Sequence, residues 1–323
     1  MSKYEIIIAN KRTGEVFDVT NCVTTAAWTT ERTGAAGKLT FTILKTPTLD
    51  FTEGDSVRLT LDGELQFFGW VFNKSKDRYG VIETTCYDRI RYLKANASYA
   101  FYDLTAGEII KQIAEDLEID VGTIENTGYA LPSLVATDQC CLDTIQTALN
   151  QTLLNTGKIF FLYDNGTGLS LQEPANMRTE FMIGDESYLG DYTYVTDIDK
   201  QSYNYIKLAR PNDETGRADV VVAQSSRTMY RWGKLQLYKQ VDSSLNTAQM
   251  QEQAAQMLEY YNRRRRTLSA TSLGIPSLRA GQMVFMKVDN LGDIDLSQWL
   301  LINKMTHTYQ NGFHTMDFEL LEI

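Results

Sequence analysis

The chain has 323 residues, 43% of them hydrophobic and 22% charged, with a formal net charge of −10. That balance is the usual globular one, and the length suits two or three domains rather than a single core. The acidity excludes a surface that grips nucleic acid by displacing counterions, so no stable nucleic-acid binding is expected; it suits solubility, or repulsion of DNA passing nearby.

No run of about 18 apolar residues occurs, so no direct membrane insertion by a helix is expected. At the N-terminus Lys11 and Arg12 follow only a few apolar residues, too early for a secretory leader, and the chain reads as made in the cytoplasm. Cys22, Cys86, Cys140 and Cys141 include an adjacent pair but no C-x-x-C and no spaced framework. Reduced, partly buried thiols are expected, not a disulfide scaffold or a zinc site.

The first ninety residues read as strands: an apolar run at 4–9, alternation over 38–44 with Leu39, Phe41 and Ile43 against Thr40 and Thr42, then 57–61, 65–73 and 81–86. Turn signals at Thr13-Gly14, Asp62-Gly63 and Tyr79-Gly80 separate them, a barrel or sandwich pattern. The period then changes. Thr105 and Glu108 form a capping box ahead of Ile109, Ile110, Ile113, Ala114 and Leu117 at helical spacing. A second helix is predicted over about 138–154, with Cys141, Leu142, Ile145, Ala148, Leu149 and Thr152 on one stripe. A hairpin follows, with strands at 159–163 and 169–171. Strand character returns at 203–208, 219–223 and 235–241, a third helix covers about 247–264, and the tail from Gly281 is strands, with Asn311-Gly312 as a type I′ turn.

One phrase is written twice. GDSVRLTLDG begins at Gly54 and GQMVFMKVDN at Gly281, so that Gly54 meets Gly281, Val57 meets Val284, Leu59 meets Met286 and Leu61 meets Val288. With three residues inserted, Val71-Phe72-Asn73-Lys74 meets Leu301-Ile302-Asn303-Lys304. Meanders in general share glycine turns and alternation; the Asn-Lys match and the constant strand order favour duplication. Two similar units per chain let a closed threefold assembly present six similar units around its axis.

The arrangement, with the phrases EGDSVRLTLDGELQFFGWV, LTAGEIIKQIAEDL, TGKIFFLYDNGTGLSLQ, YNYIKLAR, YGVIETTCYD and RRRRTLSATSLGIPSLRAGQMV, resembles the baseplate hub proteins of contractile phage tails and phage-tail-like (R-type) bacteriocins, in the branch found in Gram-positive hosts. The resemblance implies a mainly β fold with an α+β insertion: two duplicated, tube-like β-barrel domains flanking a small α+β domain. The expected boundaries are 1–95, 96–180 with two helices and a hairpin, and 181–323 including the helix at 247–264. It further implies a homotrimer whose pseudo-sixfold ring joins the hexameric tail tube to the trimeric central spike. Partners would be a second and third copy, the tail tube protein, the central spike protein, other baseplate proteins and the tape measure protein. The location would be the baseplate of a virion or tail-like particle, assembled in the host cytoplasm, with no room after Ile323 for a wall-degrading domain.

Interface residues follow from the repeat and from the arginine run: Val57, Leu59, Phe68, Trp70, Val284, Met286, Trp299, and Arg263, Arg264, Arg265 and Arg266. Four consecutive arginines at a helix end fan around its axis and suit pairing with acidic groups within or between subunits better than a nucleic-acid patch. Chemistry-bearing sets are otherwise scarce. His307 and His314 are the only histidines, and a two-residue loop places Tyr309, not His307, opposite His314, so a shared metal is not expected. No G-x-S-x-G elbow and no phosphate-cradling loop occur. Gly184-Asp185-Glu186 and Asp213-Glu214 read as solvated turns rather than paired catalytic carboxylates. No catalytic residue, metal or cofactor is therefore assigned. The competing readings are a carbohydrate- or receptor-binding tail protein using exposed tryptophans among Trp28, Trp70, Trp232 and Trp299, and a cell-wall-degrading enzyme.

Overall fold

The computed structural model describes residues 4–46, 48–185, 187, 189–212, 216–241, 243, 245–291, 294–310 and 312–322. The first region contains β1 (Tyr4–Ala9), β2 (Val16–Asp18), β3 (Val23–Glu31), β4 (Lys38–Leu44), β5 (Ser56–Leu61), β6 (Glu64–Lys76) and β7 (Val81–Tyr87). Their spatial order is β3-β4-β7-β6-β5-β1-β2, antiparallel throughout. On β4, Leu39, Phe41 and Ile43 are buried while Lys38, Thr40 and Thr42 are half-exposed, so the period of two decides which face meets the core. Ile6 and Ile8 of β1 share one cluster with Trp28 of β3, Val57, Leu59 and Val71. Strands from opposite ends of the sheet thus meet around a single core, and the sheet curls in the manner of a barrel.

Next come β8 (Asn96–Thr105), α1 (Ala106–Asp116), β9 (Val121–Ile124), β10 (Ala130–Cys140), α2 (Cys141–Thr156), β11 (Phe161–Asp164) and β12 (Leu169–Gln172). The capping box holds: the Thr105 hydroxyl accepts from the Glu108 amide at 3.3 Å, and Glu108 Oε2 accepts from the Thr105 amide at 2.8 Å. Ile109, Ile110 and Ile113 of α1 and Cys141, Ile145 and Ala148 of α2 enter one cluster with Leu169 and Leu171. The predicted helical stripes are therefore core. Cys86 and Cys141 are buried and Cys22 and Cys140 half-buried, all as free thiols.

The third set is β13 (Arg178–Gly184), β14 (Leu189–Asp197), β15 (Tyr205–Arg210), β16 (Asp219–Gln224), α3 (Ser226–Trp232), β17 (Gln236–Gln240), α4 (Thr247–Tyr261), β18 (Arg265–Leu273), β19 (Met283–Leu291), β20 (Ile294–Gln310) and β21 (Phe313–Leu321). Within it the order β14-β18-β21-β20-β19-β13 repeats the order β3-β4-β7-β6-β5-β1 of the first region. One difference is direction: β1 lies antiparallel to β5, whereas β13 lies parallel to β19. The strands β16-β15-β17 form a separate sheet covered by α4, with Ile206, Leu208, Met250, Ala254 and Met257 as its core. The chain divides into two compact units, one of residues 1–149, 160–194 and 268–323, the other of 150–159 and 195–267.

The duplicated phrase is a duplicated structure. Gly54 and Gly281 both hold left-handed backbone, at φ of +88° and +89°, which glycine adopts without the Cβ clash other residues meet. Each donates its amide to the middle strand at 2.8 Å, Gly54 to the Val71 carbonyl and Gly281 to the Ile302 carbonyl. The next side chain closes the same turn in both. Asp55 Oδ2 accepts from the Thr52 amide at 2.8 Å, and Gln282 Oε1 accepts from the Arg279 amide at 2.9 Å. Val57 then pairs with Gly69 and Val284 with Leu300; a bulge follows Val71 in one copy and Ile302 in the other; and Val71 faces Cys86 as Ile302 faces Leu320.

These pairings correct the sequence alignment by one residue. Val71 corresponds to Ile302 and Asn73 to Lys304, so the insertion is four residues, not three. Three of the four fall on β19 and one on β20, and each hairpin carries an irregularity near its tip, after Leu59 in one copy and after Val288 in the other. The Asn-Lys coincidence had suggested the wrong register. The turn expected at Asn311-Gly312 includes Asn311, which lies outside the described residues; Gln310 pairs with Phe313 on either side of it.

β20 is longer than β6, and the extra length has a partner. Its edge from Lys304 to Gln310 pairs antiparallel with β3, from Glu31 to Thr25. Lys304 Nζ meets Glu31 Oε1 at 2.7 Å, and the Thr29 and Thr306 hydroxyls meet at 3.0 Å. One sheet of 13 strands thereby runs through both repeats.

Candidate assembly interface

A buried charge cluster ties the repeats to the α+β insertion. Asp88, just after β7, is 4% exposed, and its carboxylate accepts from the Gly37 amide at 2.9 Å and the Ile90 amide at 3.1 Å. Asp164, at the end of β11, accepts from the Arg89 amide at 3.0 Å and from Arg89 Nη1 at 3.1 Å. Arg279, in the turn that opens the second repeat, donates from Nη1 to the Asp164 carbonyl at 2.9 Å and lies 4.5 Å over the Tyr163 ring. Burial and the neighbouring Asp164 carboxylate push Asp88 up to about 8, against the pull of Arg279 and the two amides. Burial likewise lowers Arg279 below its ordinary value. At neutral pH Asp88 is therefore mostly protonated, and the charges that meet directly are the Asp164 carboxylate and Arg89, either of which would be a buried unpaired charge without the other. The cluster holds geometry; it is too enclosed to meet a polymer substrate.

The outward face of β6 is aromatic. Phe68 and Trp70 are half-buried, their rings 5.4 Å apart, with Arg89 over both at 5.2 and 5.5 Å and Tyr92 5.4 Å from Trp70. Trp299 on β20 is also half-buried, between Phe285 at 5.6 Å and the Arg178 guanidinium at 5.2 Å. Val57, Leu59, Val284 and Met286 sit wholly inside the two β cores, each at 0% exposure. They set the strands in place and present no surface. Trp28 is core as well, stacked on His307.

The arginine run leaves the helix earlier than its sequence suggests. α4 ends at Tyr261, and Arg265 and Arg266 open β18, so only Arg263 and Arg264 lie in the turn between. The chain leaving the helix is held beside β15: the Tyr261 carbonyl accepts from the Tyr203 amide at 3.1 Å, and the Arg263 carbonyl in the turn accepts from the Ser202 hydroxyl at 2.9 Å. Arg263 and Arg265 both face the Tyr260 ring, at 5.0 and 5.3 Å. Arg265 donates to the Gln201 carbonyl at 3.2 Å, and Arg264 is exposed.

Tyr309 does pair with His314 across the β20–β21 hairpin. Yet the diagonal brings the histidines together, His307 Nδ1 to His314 Nε2 at 2.9 Å. His307 Nε2 donates to the Leu278 carbonyl at 2.7 Å, which leaves Nδ1 to accept from His314. Burial lowers His307 to about 3 and His314 to about 4. Both rings are neutral, occupied with each other, and among the described residues no group of three or more His, Cys, Asp or Glu surrounds a metal position. Of the carboxylates weighed for catalysis, Asp185 accepts from the Asp289 amide at 2.8 Å; Glu186, Asp213 and Glu214 lie outside the described residues.

What this geometry offers is a set of sheet edges and braced repeats. A family profile described as YQBQ-like matches residues 26–321. The chain belongs to the YQBQ-like family. The Bacillus subtilis protein YqbQ is 30% identical over 84% of this chain and 82% of its own length, and XkdQ, a protein of the phage-like element PBSX of the same organism, is 27% identical over the same shares. Among solved structures, this YQBQ-like chain resembles the 43 kDa tail protein of prophage MuSo2 from Shewanella oneidensis, with a TM-score of 0.73 at 12% identity over 98% of each chain. It also resembles the E. coli c3393 protein, a type VI secretion component described as structurally similar to the phage T4 tail proteins gp27 and gp5, with a TM-score of 0.57 at 11% identity over 98% of this chain and 76% of that one. The mainly β fold of this YQBQ-like protein is one seen in phage and prophage tail proteins. Sequence reasoning missed Asp88, Asp164 and Arg279, although all three stand inside the phrases that carry the resemblance. Their signal was a charged residue at a strand end, which in sequence looks like any turn.

Proposed function

We propose that this chain is the baseplate hub of a contractile tail or tail-like particle, working without catalysis. Three copies form a ring of six similar β units that receives the hexameric tail tube on one face and the trimeric spike on the other. The observation that carries this reading is the head-to-tail junction inside one chain: β20 of the second repeat pairs with β3 of the first, so unlike edges of like units are joined. Such a heterologous contact generates a ring when its rotation closes, and six units carried two to a chain make a ring of three chains. The domains of the hub are 1–95 and 181–323 as tube-like units and 96–180 as the brace between them. Its partners are two further copies, the tube and spike proteins, neighbouring baseplate proteins and the tape measure protein, and its place is the baseplate, assembled in the host cytoplasm.

Sedimentation velocity of the purified chain, alone and mixed with tube and spike proteins from the same particle, tests this. The expected result is a three-copy species that co-sediments with both. A monomer that ignores both and hydrolyses purified peptidoglycan would replace the hub with an enzyme.

A further inference from the structure

The repeats are equivalent in their cores but not at one edge. In the second repeat, β20 beyond its bulge is covered by β3. In the first, among the described residues, β6 beyond Val71 is paired only with β7, over residues 73–76. The counterpart of β3 is β14, which ends the sheet with β18 as its single neighbour among the described residues. Each chain therefore carries one half of the junction on β6 and the other half on β14.

The register carries over. The Gly80 carbonyl accepts from the Lys45 amide at 2.9 Å and the His314 carbonyl from the Gly274 amide at 2.8 Å, which aligns β4 with β18. On β14, Gly190 lies against Thr271 as Thr25 on β3 lies opposite Thr42. Residues 190–196 thus correspond to 25–31, and residues 73–76 correspond to 304–307. Charge agrees with this register. The end of β6 and its turn carry Lys74, Lys76 and Arg78 with one acid, Asp77, while β14 carries Asp191 and Asp197 and no base. Lys76, Arg78 and Asp191 are exposed, and the register sets Arg78 opposite Asp191 with Lys76 two residues away on the same face.

We propose that the β6 edge at 73–76 of one copy pairs antiparallel with the β14 edge at 193–196 of a second copy. This reproduces between chains the pairing that β20 and β3 make within one, and it rests on the ring reading above. It also removes two open sheet edges at once, each of which would otherwise be a template for uncontrolled pairing.

The test compares self-association of the wild type, K76E/R78E, D191K and the triple variant by light scattering, with circular dichroism to confirm folding. Each one-sided reversal is expected to weaken assembly at least about tenfold, and the triple variant to recover most of it. In parallel, Lys76→Cys with Thr193→Cys is expected to give an oxidised interchain ladder ending at three chains, which neither single cysteine gives. A wild-type trimer that tolerates both reversals and forms no such ladder would overturn the edge pairing and leave the ring standing. A wild-type chain that never self-associates, alone or with tube and spike proteins, would overturn both.

Discussion

The two repeats share a core and differ in what surrounds it. Val57, Leu59 and Val71 in the first, and Val284, Met286 and Ile302 in the second, occupy matching inward positions at 0–2% exposure. Around them almost everything departs: Thr52 becomes Arg279, β1 runs antiparallel where β13 runs parallel, and the short β3–β4 connection becomes the 195–267 insertion between β14 and β18. Packing fixes the inner face of a strand tightly, because one step of register moves every side chain to the wrong side. Edges and turns are free to take on partners, and there the copies have specialised.

The sharpest way to break the comparison is at its charged corner. Arg279→Ala takes from the buried Asp88 carboxyl the cation that favours its charge and from the Asp164 carbonyl its donor, and is expected to cost about 3 kcal/mol, whereas Thr52→Ala at the matching, exposed position costs no more than about 0.5 kcal/mol. Urea unfolding of both variants measures the gap, and equal losses would mean the cluster is not the brace described. In the cores the copies should instead behave alike: Leu59→Ala and Met286→Ala each lose about 2–5 kcal/mol. A negligible effect in one of them would remove that position from the shared core.

The turn glycines sharpen the point. Gly54→Ala faces open space and pays only for its left-handed backbone, about 1–2 kcal/mol. Gly281→Ala pays that and also meets the Phe161 ring, which lies 1.9 Å from where its Cβ would stand, so its loss exceeds that of Gly54→Ala by about 1 kcal/mol or more.

The smallest effect is in the acid limb. Folded, His307 and His314 take protons only near pH 3 and 4, while unfolded histidines take them near 6.5. Between those values the unfolded chain binds more protons, so the stability these rings support is intact above about pH 6.5 and declines as pH falls towards 4 and then 3. The first repeat has no such pair, Lys76 and Gly80 standing at the matching positions. His314→Gln should therefore flatten the fall in unfolding midpoint between pH 6.5 and 4 relative to wild type; an unchanged slope would contradict the assignment.

Much of this was legible in the sequence where one period governs a segment. The strands at 4–9 and 38–44, the Thr105 capping box and the stripe on α2 follow from alternation and helical spacing alone. β14 was not legible, because seven of its nine residues are polar, aromatic or glycine and five of them are exposed, so nothing in it alternates. β8 and β10 were hidden differently: exposure alternates along much of both, but half-buried positions are filled by Ala97, Tyr99 and Ser133, which carry little apolar signal. The duplication was visible but one residue out of register, since composition cannot see a bulge. Among the candidate interface residues, alternation correctly marked Val57 and Val284 as equivalent; it could not say that equivalence places them in cores rather than on surfaces. Edge complementarity between β6 and β14 emerges only once the strand order is known.

Projection images of the purified assembly test the central claim most directly. The account predicts a ring of three chains showing six similar lobes around the axis, alternating slightly with period two. A three-chain particle with only three lobes, or a ring whose six lobes come from six chains, would contradict it.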